Sequence, residues 1–232
     1  MGWKAASIFV NERGPGYFGT LPPHNPEKAR KICHSLGLSF SNTKQSTFEN
    51  GLYPPAGTFA LGAYEGGLIL ADQDELIGCS GEDDDPTVLK ILHQYPDASI
   101  LCITLHSVVN HWGYALYENS KLLRRFVGDA DDGIALEEGQ LQPEEKTLFE
   151  RSRQTEPGRR IFQIDINGVT EEFPENAAGE ELVFRMASRF FGQPLDHCKP
   201  VDLFDLQLEL FSKPQKATSS FKSSAKPLWK FW

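Results

Sequence analysis

Two histidines, a serine, an asparagine and a tryptophan fall within the seven residues His106-Ser107-Val108-Val109-Asn110-His111-Trp112. A serine beside a histidine suggests nucleophilic hydrolysis, in which the imidazole takes the hydroxyl proton. That chemistry needs the base within hydrogen-bond reach and an oxyanion hole, which a GxSxG elbow usually announces. No such elbow surrounds Ser107. Adjacent residues of a strand also point to opposite faces, so His106 is poorly placed to activate its neighbour. If the strand ends near Leu105, the segment becomes a connecting loop whose polar groups rim a pocket. The bland alternative is a set of satisfied structural polar groups. His106, Ser107, Asn110, His111 and Trp112 are therefore candidate binding residues, and no residue is assigned a catalytic role.

Other patterns fail on inspection. Gly14-Pro15-Gly16-Tyr17-Phe18-Gly19 matches GxGxxG after a strand, but the dinucleotide motif works only when its third glycine opens a helix. Here Thr20-Leu21-Pro22-Pro23 follows, and two prolines prevent that helix. Asp129, Asp131, Asp132, Gly133 and Glu137 suggest a calcium loop. Placing Gly133 at its sixth position puts Gly128 first and Gly139 twelfth, and neither supplies a ligand. An acidic surface turn fits better. Glu82 to Asp85 reads as a charge cluster at a helix entry. Cys33, Cys79, Cys102 and Cys198 are isolated, which suits buried thiols of a reducing compartment and offers zinc no clustered ligands. No metal and no cofactor is expected.

The elements that must position these groups follow from periodicity and punctuation. Trp3 to Val10 is a short apolar run and reads as a buried first strand, followed by a Gly/Pro-rich loop from Asn11 to Asn25. Asn25 and Pro26 open a helix that Gly37 ends, with Ala29, Ile32, Cys33 and Leu36 on one stripe. Gly57–Tyr64 and Leu68–Ala71 flank Glu65-Gly66-Gly67 as a hairpin. Pro86 to Tyr95 is a second helix, and Ser99 to Leu105 a central strand. Trp112–Glu118 and Lys121–Val127 form a hairpin across Asn119-Ser120. Arg160–Ile166 turns at Asn167-Gly168 into Val169–Phe173, Glu180 to Phe191 is an amphipathic helix, and Leu206, Leu208 and Leu210 mark a last strand. The expected fold is α+β: a mainly antiparallel sheet built from hairpins, with three to four helices packed on it.

The expected domain spans residues 1–211, with a basic, disordered tail over 212–232. Forty per cent apolar residues is a folding composition. Net charge is −9, and because five lysines of the last twenty residues meet no acid there, the residues before Lys213 carry −14. An acidic body repels phosphate backbones, so nucleic acid is not an expected partner of the domain. The terminal Pro227-Leu228-Trp229-Lys230-Phe231-Trp232 interleaves aromatics with lysine, and could contact an anionic surface. No transmembrane segment and no signal peptide is expected, which makes the protein cytoplasmic by default.

The opening Met-Gly-Trp-Lys-Ala, residues 54–58 (Pro-Pro-Ala-Gly-Thr), and Leu105-His106-Ser107-Val108-Val109 followed by Trp112 resemble an uncharacterised bacterial family. Asn119 to Arg124, Asp132-Gly133-Ile134 and Glu137-Glu138-Gly139 extend the likeness, which runs from the first strand to about Phe211. The family is a domain of unknown function common in actinobacteria, so the resemblance implies a lineage and no activity. The chain departs from it at Asn110-His111, where an acid and further aromatics are expected. The leading reading is a non-enzymatic binding or interaction module for a protein or small molecule. The alternative is a small-molecule hydrolase with its site near residues 106–112.

Overall fold

Along β1 (Lys4–Asn11) the residues Ala5, Ser7 and Phe9 point to one face and Ala6, Ile8 and Val10 to the other, and all six are buried. A strand buried on both faces needs a layer on each side, and the protein has three layers. The computed structural model describes residues 2–73, 85–166, 168–197 and 199–214. Cys79, Cys198, Asn167, Glu82 to Asp84 and the basic tail beyond Pro214 lie outside them.

The middle layer is a nine-stranded sheet in which every pairing is antiparallel. Its remaining strands are β2 (Asn42–Thr47), β3 (Thr58–Tyr64), β4 (Gly67–Ala71), β5 (Ser99–His106), β6 (His111–Glu118), β7 (Lys121–Asp129), β8 (Gly133–Gly139) and β12 (Gln207–Ser212). They lie in the order β2-β12-β3-β4-β1-β5-β6-β7-β8. Hairpins supply four of the eight pairings (β3–β4, β5–β6, β6–β7 and β7–β8), and the other four join strands distant in the chain. The turn between β6 and β7 puts Asn119 and Ser120 at φ +50° and +58°, the left-handed pair a two-residue hairpin turn requires.

On one face lie α1 (Pro26–Leu36) and α3 (Pro86–Gln94). The Asn25 side chain accepts from the Lys28 N–H at 3.0 Å and Gly37 closes α1 in the left-handed region, while Asp85 caps α3 through the Thr87 N–H. The stripe Ala29, Ile32, Cys33 and Leu36 packs with Val88 and Ile91 onto Ile8, Val10, Leu68 and Leu70. Cys33 and Cys102 are both buried thiols, and burial, followed by the charge of Glu209, pushes Cys33 up to about 12.

On the other face lie α2 (Phe48–Gly51), α4 (Pro143–Glu150), α5 (Glu175–Phe191) and a second sheet. That sheet comprises β9 (Ser152–Glu156), β10 (Arg159–Ile166) and β11 (Val169–Pro174), in the order β11-β10-β9. Leu182, Val183, Met186, Phe190 and Phe191 of α5 meet Phe9, Leu101, Ile103 and Tyr114 of the large sheet. Phe9 and Phe191 cross edge to face with centroids 5.0 Å apart. Truncating such a ring to alanine costs about 3–5 kcal/mol.

The sequence reading differs from the structure at several places, and five α-helices stand among the described residues where three to four were expected. β2 is the polar run Asn-Thr-Lys-Gln-Ser-Thr, an edge strand with little apolar signal. β8 continues the acidic segment into a hairpin with β7, in which the Asp129 carboxylate accepts from the N–H groups of Asp131 and Asp132. α4 and β9 carry little apolar periodicity. α5 begins at Glu175, five residues before Glu180, because Gly179 reads as a breaker yet sits inside the helix. Among the described residues no helix is long and apolar enough to cross a membrane.

Candidate functional site

β5 and β6 pair from Ser99 with Glu118 to His106 with His111. At the His106 end, Ser107–Val109 form one 3-10 turn and Asn110 adopts φ +48° to bring the chain back. β5 therefore ends one residue later than Leu105, and Ser107 leaves the sheet. The turn is pinned to the start of the chain. The Ser107 N–H donates to the Trp3 carbonyl at 3.0 Å, and the Trp3 N–H donates to Ser107 Oγ at 3.0 Å. The single hydroxyl proton is shared between the Trp3 carbonyl at 3.1 Å and the Glu180 carboxylate of α5, which sits in close contact.

Between this turn and the first turns of α5 opens a cleft of about 120 Å³, walled chiefly by Ser107, Asn110, His111, Trp112, Asn176 and Glu180. Four of the five candidates from the sequence thus share one concavity. The exception is His106, which pairs with Lys4 on one side and His111 on the other and does not line the cleft. Burial pushes the His111 pKa down, opposed by the Asp129 charge and assisted by His106. The ring is therefore neutral at pH 7, able to donate through one nitrogen and accept through the other.

Trp112 is 1% exposed and lies under α5. A Cβ on Gly179 would come within 2.2 Å of the indole, so glycine there lets helix and ring touch. Among the described residues the buried indole N–H has no hydrogen-bond partner, an arrangement that costs about 1–3 kcal/mol. Beside the cleft, Val108 and Val109 are 73% and 54% exposed.

The sequence alone does not find Glu180, Asn176 or Trp3, which chain separation hides. The usable signal is Gly179 within an amphipathic pattern, since a glycine in a helix interior often marks close packing.

A larger cleft, about 260 Å³, opens at the opposite ends of the same strands, walled in part by Arg13, Gly14, Asp97, Ser99, Glu118 and Arg189. Gly14 and Pro15, the first two residues of the GxGxxG segment, line it, and the two later glycines serve packing. The Gly16 N–H donates to the Arg189 carbonyl at 2.8 Å, and a Cβ on Gly19 would lie 2.1 Å from the Phe191 carbonyl oxygen. The segment enters a four-residue 3-10 turn, Tyr17–Thr20, and no α-helix starts there. Arg189 is already bound to Glu144, Glu118 and Gln142. Both clefts are smaller than the roughly 300–1,000 Å³ usual for drug-sized ligands. Among the described residues no three His, Cys, Asp or Glu side chains are placed to share a metal ion.

Residues 6–208 match the model of a family described as a "Family of unknown function (DUF6928)". No curated protein and no solved structure matches the chain.

Proposed function

We propose, from the premise that the chain belongs to this family of unknown function, a non-enzymatic binding module whose recognition site is the cleft between the β5–β6 turn and α5. The observation that carries the reading is one concavity to which the β5–β6 turn, the start of β6 and α5 together bring Ser107, Asn110, His111, Trp112, Asn176 and Glu180. Around it stand the Glu180 carboxylate, the Asn110 and Asn176 amides and a neutral His111. These groups can meet a guest with donors and acceptors of both kinds. Ser107 supports the same reading. Its oxygen accepts from the Trp3 backbone and its proton goes to Trp3 or Glu180, so the hydroxyl acts as a strut for the turn.

The close Ser107–Glu180 contact is what favours the alternative, a small-molecule hydrolase, because a carboxylate can in principle take the serine proton. A panel of esterase, phosphatase and peptidase substrates separates the two. The binding reading expects Ser107→Ala to leave any measured turnover unchanged, and expects a thermal-shift screen of small polar fragments to return ligands whose effect is lost in Asn110→Ala. Turnover abolished by Ser107→Ala in a folded protein makes the chain an enzyme and overturns the reading.

A further inference from the structure

Resting on that reading, we infer that the occupant of the Ser107–Glu180 cleft is this chain's own basic, aromatic segment, residues 215–232, seated from the same molecule. The strand register puts root and cleft at one end of the large sheet. Ser212 of β12 pairs with Thr58, Ala71 with Ser7, Lys4 with His106, and His106 with His111. The chain therefore leaves β12 on the side where the β5–β6 turn stands. Lys213 is held there, its N–H donating to the Gly57 carbonyl at 2.9 Å and its ammonium to Asp72 at 2.8 Å. β5 lies four places along the sheet from β12. Strands are spaced about 4.8 Å apart and an extended chain reaches about 3.3 Å per residue, so residues 215–232 cross those places with more than half their length to spare.

The chemistry of the segment matches the cleft. It carries Lys216, Lys222, Lys226 and Lys230, no acid, and the rings of Phe221, Trp229, Phe231 and Trp232. Glu180 takes the Ser107 hydroxyl, and a carboxylate has further lone pairs for an ammonium. On the other side of the cleft Trp112 pairs with Gly128, which brings Asp129 beside His111, and Asp131 and Asp132 stand exposed in the same turn. Among the cations at this end, Lys213 is held by Asp72. Arg159 is held by Glu175 and the Asp131 carbonyl, both at 2.7 Å, and Lys4 lies over the Tyr53 ring. Val108 and Val109, both exposed beside the cleft, supply apolar surface on which an aromatic ring can rest.

An anionic bilayer is the competing surface for lysines and aromatics. A bilayer that holds the tail is drawn towards this acidic end of the body, and like charges oppose that approach. The cleft carries no such cost and is already tethered. A tether keeps the segment at a millimolar effective concentration, so a contact with a millimolar Kd is occupied about half the time. Occupancy of that order adds little to the melting temperature, and the sensitive measurement is spectroscopic.

The test uses the full chain labelled with ¹⁵N. The reporters are the backbone amides of Val108, Val109 and His111 and the indole N–H groups of Trp229 and Trp232, each indole identified by its loss on substitution with Phe. Lys222→Ser, Lys226→Ser and Lys230→Ser together should shift the amides of the turn and leave those of Asn119 and Ser120, at the far end of β6, in place. Val108→Ser with Val109→Ser, or Asp131→Asn with Asp132→Asn, should shift both tail indoles towards their positions in a separate 215–232 peptide. Raising salt from about 20 mM to about 500 mM should move both sets of reporters the same way. Shifts that grow with protein concentration put the segment in another copy's cleft and overturn the intramolecular contact. Turn amides that ignore the tail substitutions, while phosphatidylserine vesicles broaden the tail indoles, assign the tail to a membrane and overturn it too. Turn amides that ignore the tail but respond to fragments from the thermal-shift screen remove the occupant and keep the binding site. If neither moves them, occupant and site both fail.

Discussion

Ser107 and His24 show how single side chains in this fold are committed to structure. Ser107→Ala removes the acceptor of the Trp3 N–H and the donor to Glu180, and should lower unfolding stability by about 1 kcal/mol. A urea midpoint displaced at constant slope is the expected record. His24 accepts the Ala63 N–H on Nδ1 at 3.1 Å. Its neutral ring therefore carries the proton on Nε2, which faces Glu209 across 3.7 Å, while Arg30 holds the other Glu209 oxygen at 3.0 Å. Burial is the largest influence and pushes the His24 pKa down, against the pull of Glu209. His111 is displaced the same way, again chiefly by burial. A depressed histidine pKa means that the unfolded chain binds more protons, so stability rises with pH across the window between the two values. Their contribution is complete above about pH 6.5, the unfolded value, and is lost as pH falls through the lower folded values. Urea midpoints should fall between pH 7.5 and 5.5, and His111→Asn should flatten that slope. A midpoint independent of pH over this range contradicts the assignment. The salt-bridged Asp165 and Glu172, held low by Arg151 and Arg153, act only further into the acid range. At this scale the sequence exposed the 106–112 cluster because its members are neighbours. Glu180 stayed hidden because nothing in a linear chain couples residues 73 positions apart.

Elements were legible wherever punctuation and periodicity agreed. α1 has Asn25, Pro26 and Gly37 in the expected places, and the β6–β7 hairpin has its alternating aromatics. β2 and β9 were missed for one physical reason: exposed strands owe their form to a neighbour's backbone and need no apolar face of their own. Glycines at element contacts give the sharpest test. Gly14 and Gly19 are the first and last glycines of the same GxGxxG match, yet a Cβ at Gly14 meets nothing within 4 Å, whereas one at Gly19 strikes the end of α5. Gly19→Ala should destabilise by about 1–3 kcal/mol through overpacking, and Gly14→Ala should stay within about 0.5 kcal/mol. A nucleotide loop would show its loss in ligand affinity, with stability untouched. Gly179→Ala belongs to the same class. The added methyl meets the Trp112 ring, so it should both lower the melting temperature and displace the Trp112 indole resonance, leaving the other tryptophans in place.

The whole molecule is closed by its last strand. β12 inserts between β2 and β3, joining residues near the end of the described chain to two strands from its first third. Leu208 and Phe211 are fully buried on opposite faces, and Phe211 stacks on Phe59 with centroids 5.0 Å apart. Glu209 binds Arg30 of α1, and Lys213 reaches Asp72 at 2.8 Å just after β4. Alternating leucines announce a strand here, but its place in the sheet is invisible in sequence, because a pairing across some 150 residues depends on what the intervening chain leaves open. A strand so placed is expected to tie both halves of the chain into one cooperative unit, and truncations test that expectation. Ending the chain after Pro214 keeps β12 and the Lys213–Asp72 pair, and should move the melting temperature by no more than about 2 °C. Ending it after Asp205 exposes the sites of Leu208 and Phe211, each worth about 2–3 kcal/mol of burial. It also leaves β2 without its partner, and should lower the melting temperature by about 10 °C or more. Calorimetry of the two truncated chains checks this directly. Two separate transitions, or equal stability of the pair, would mean that residues 1–211 do not fold as a single domain.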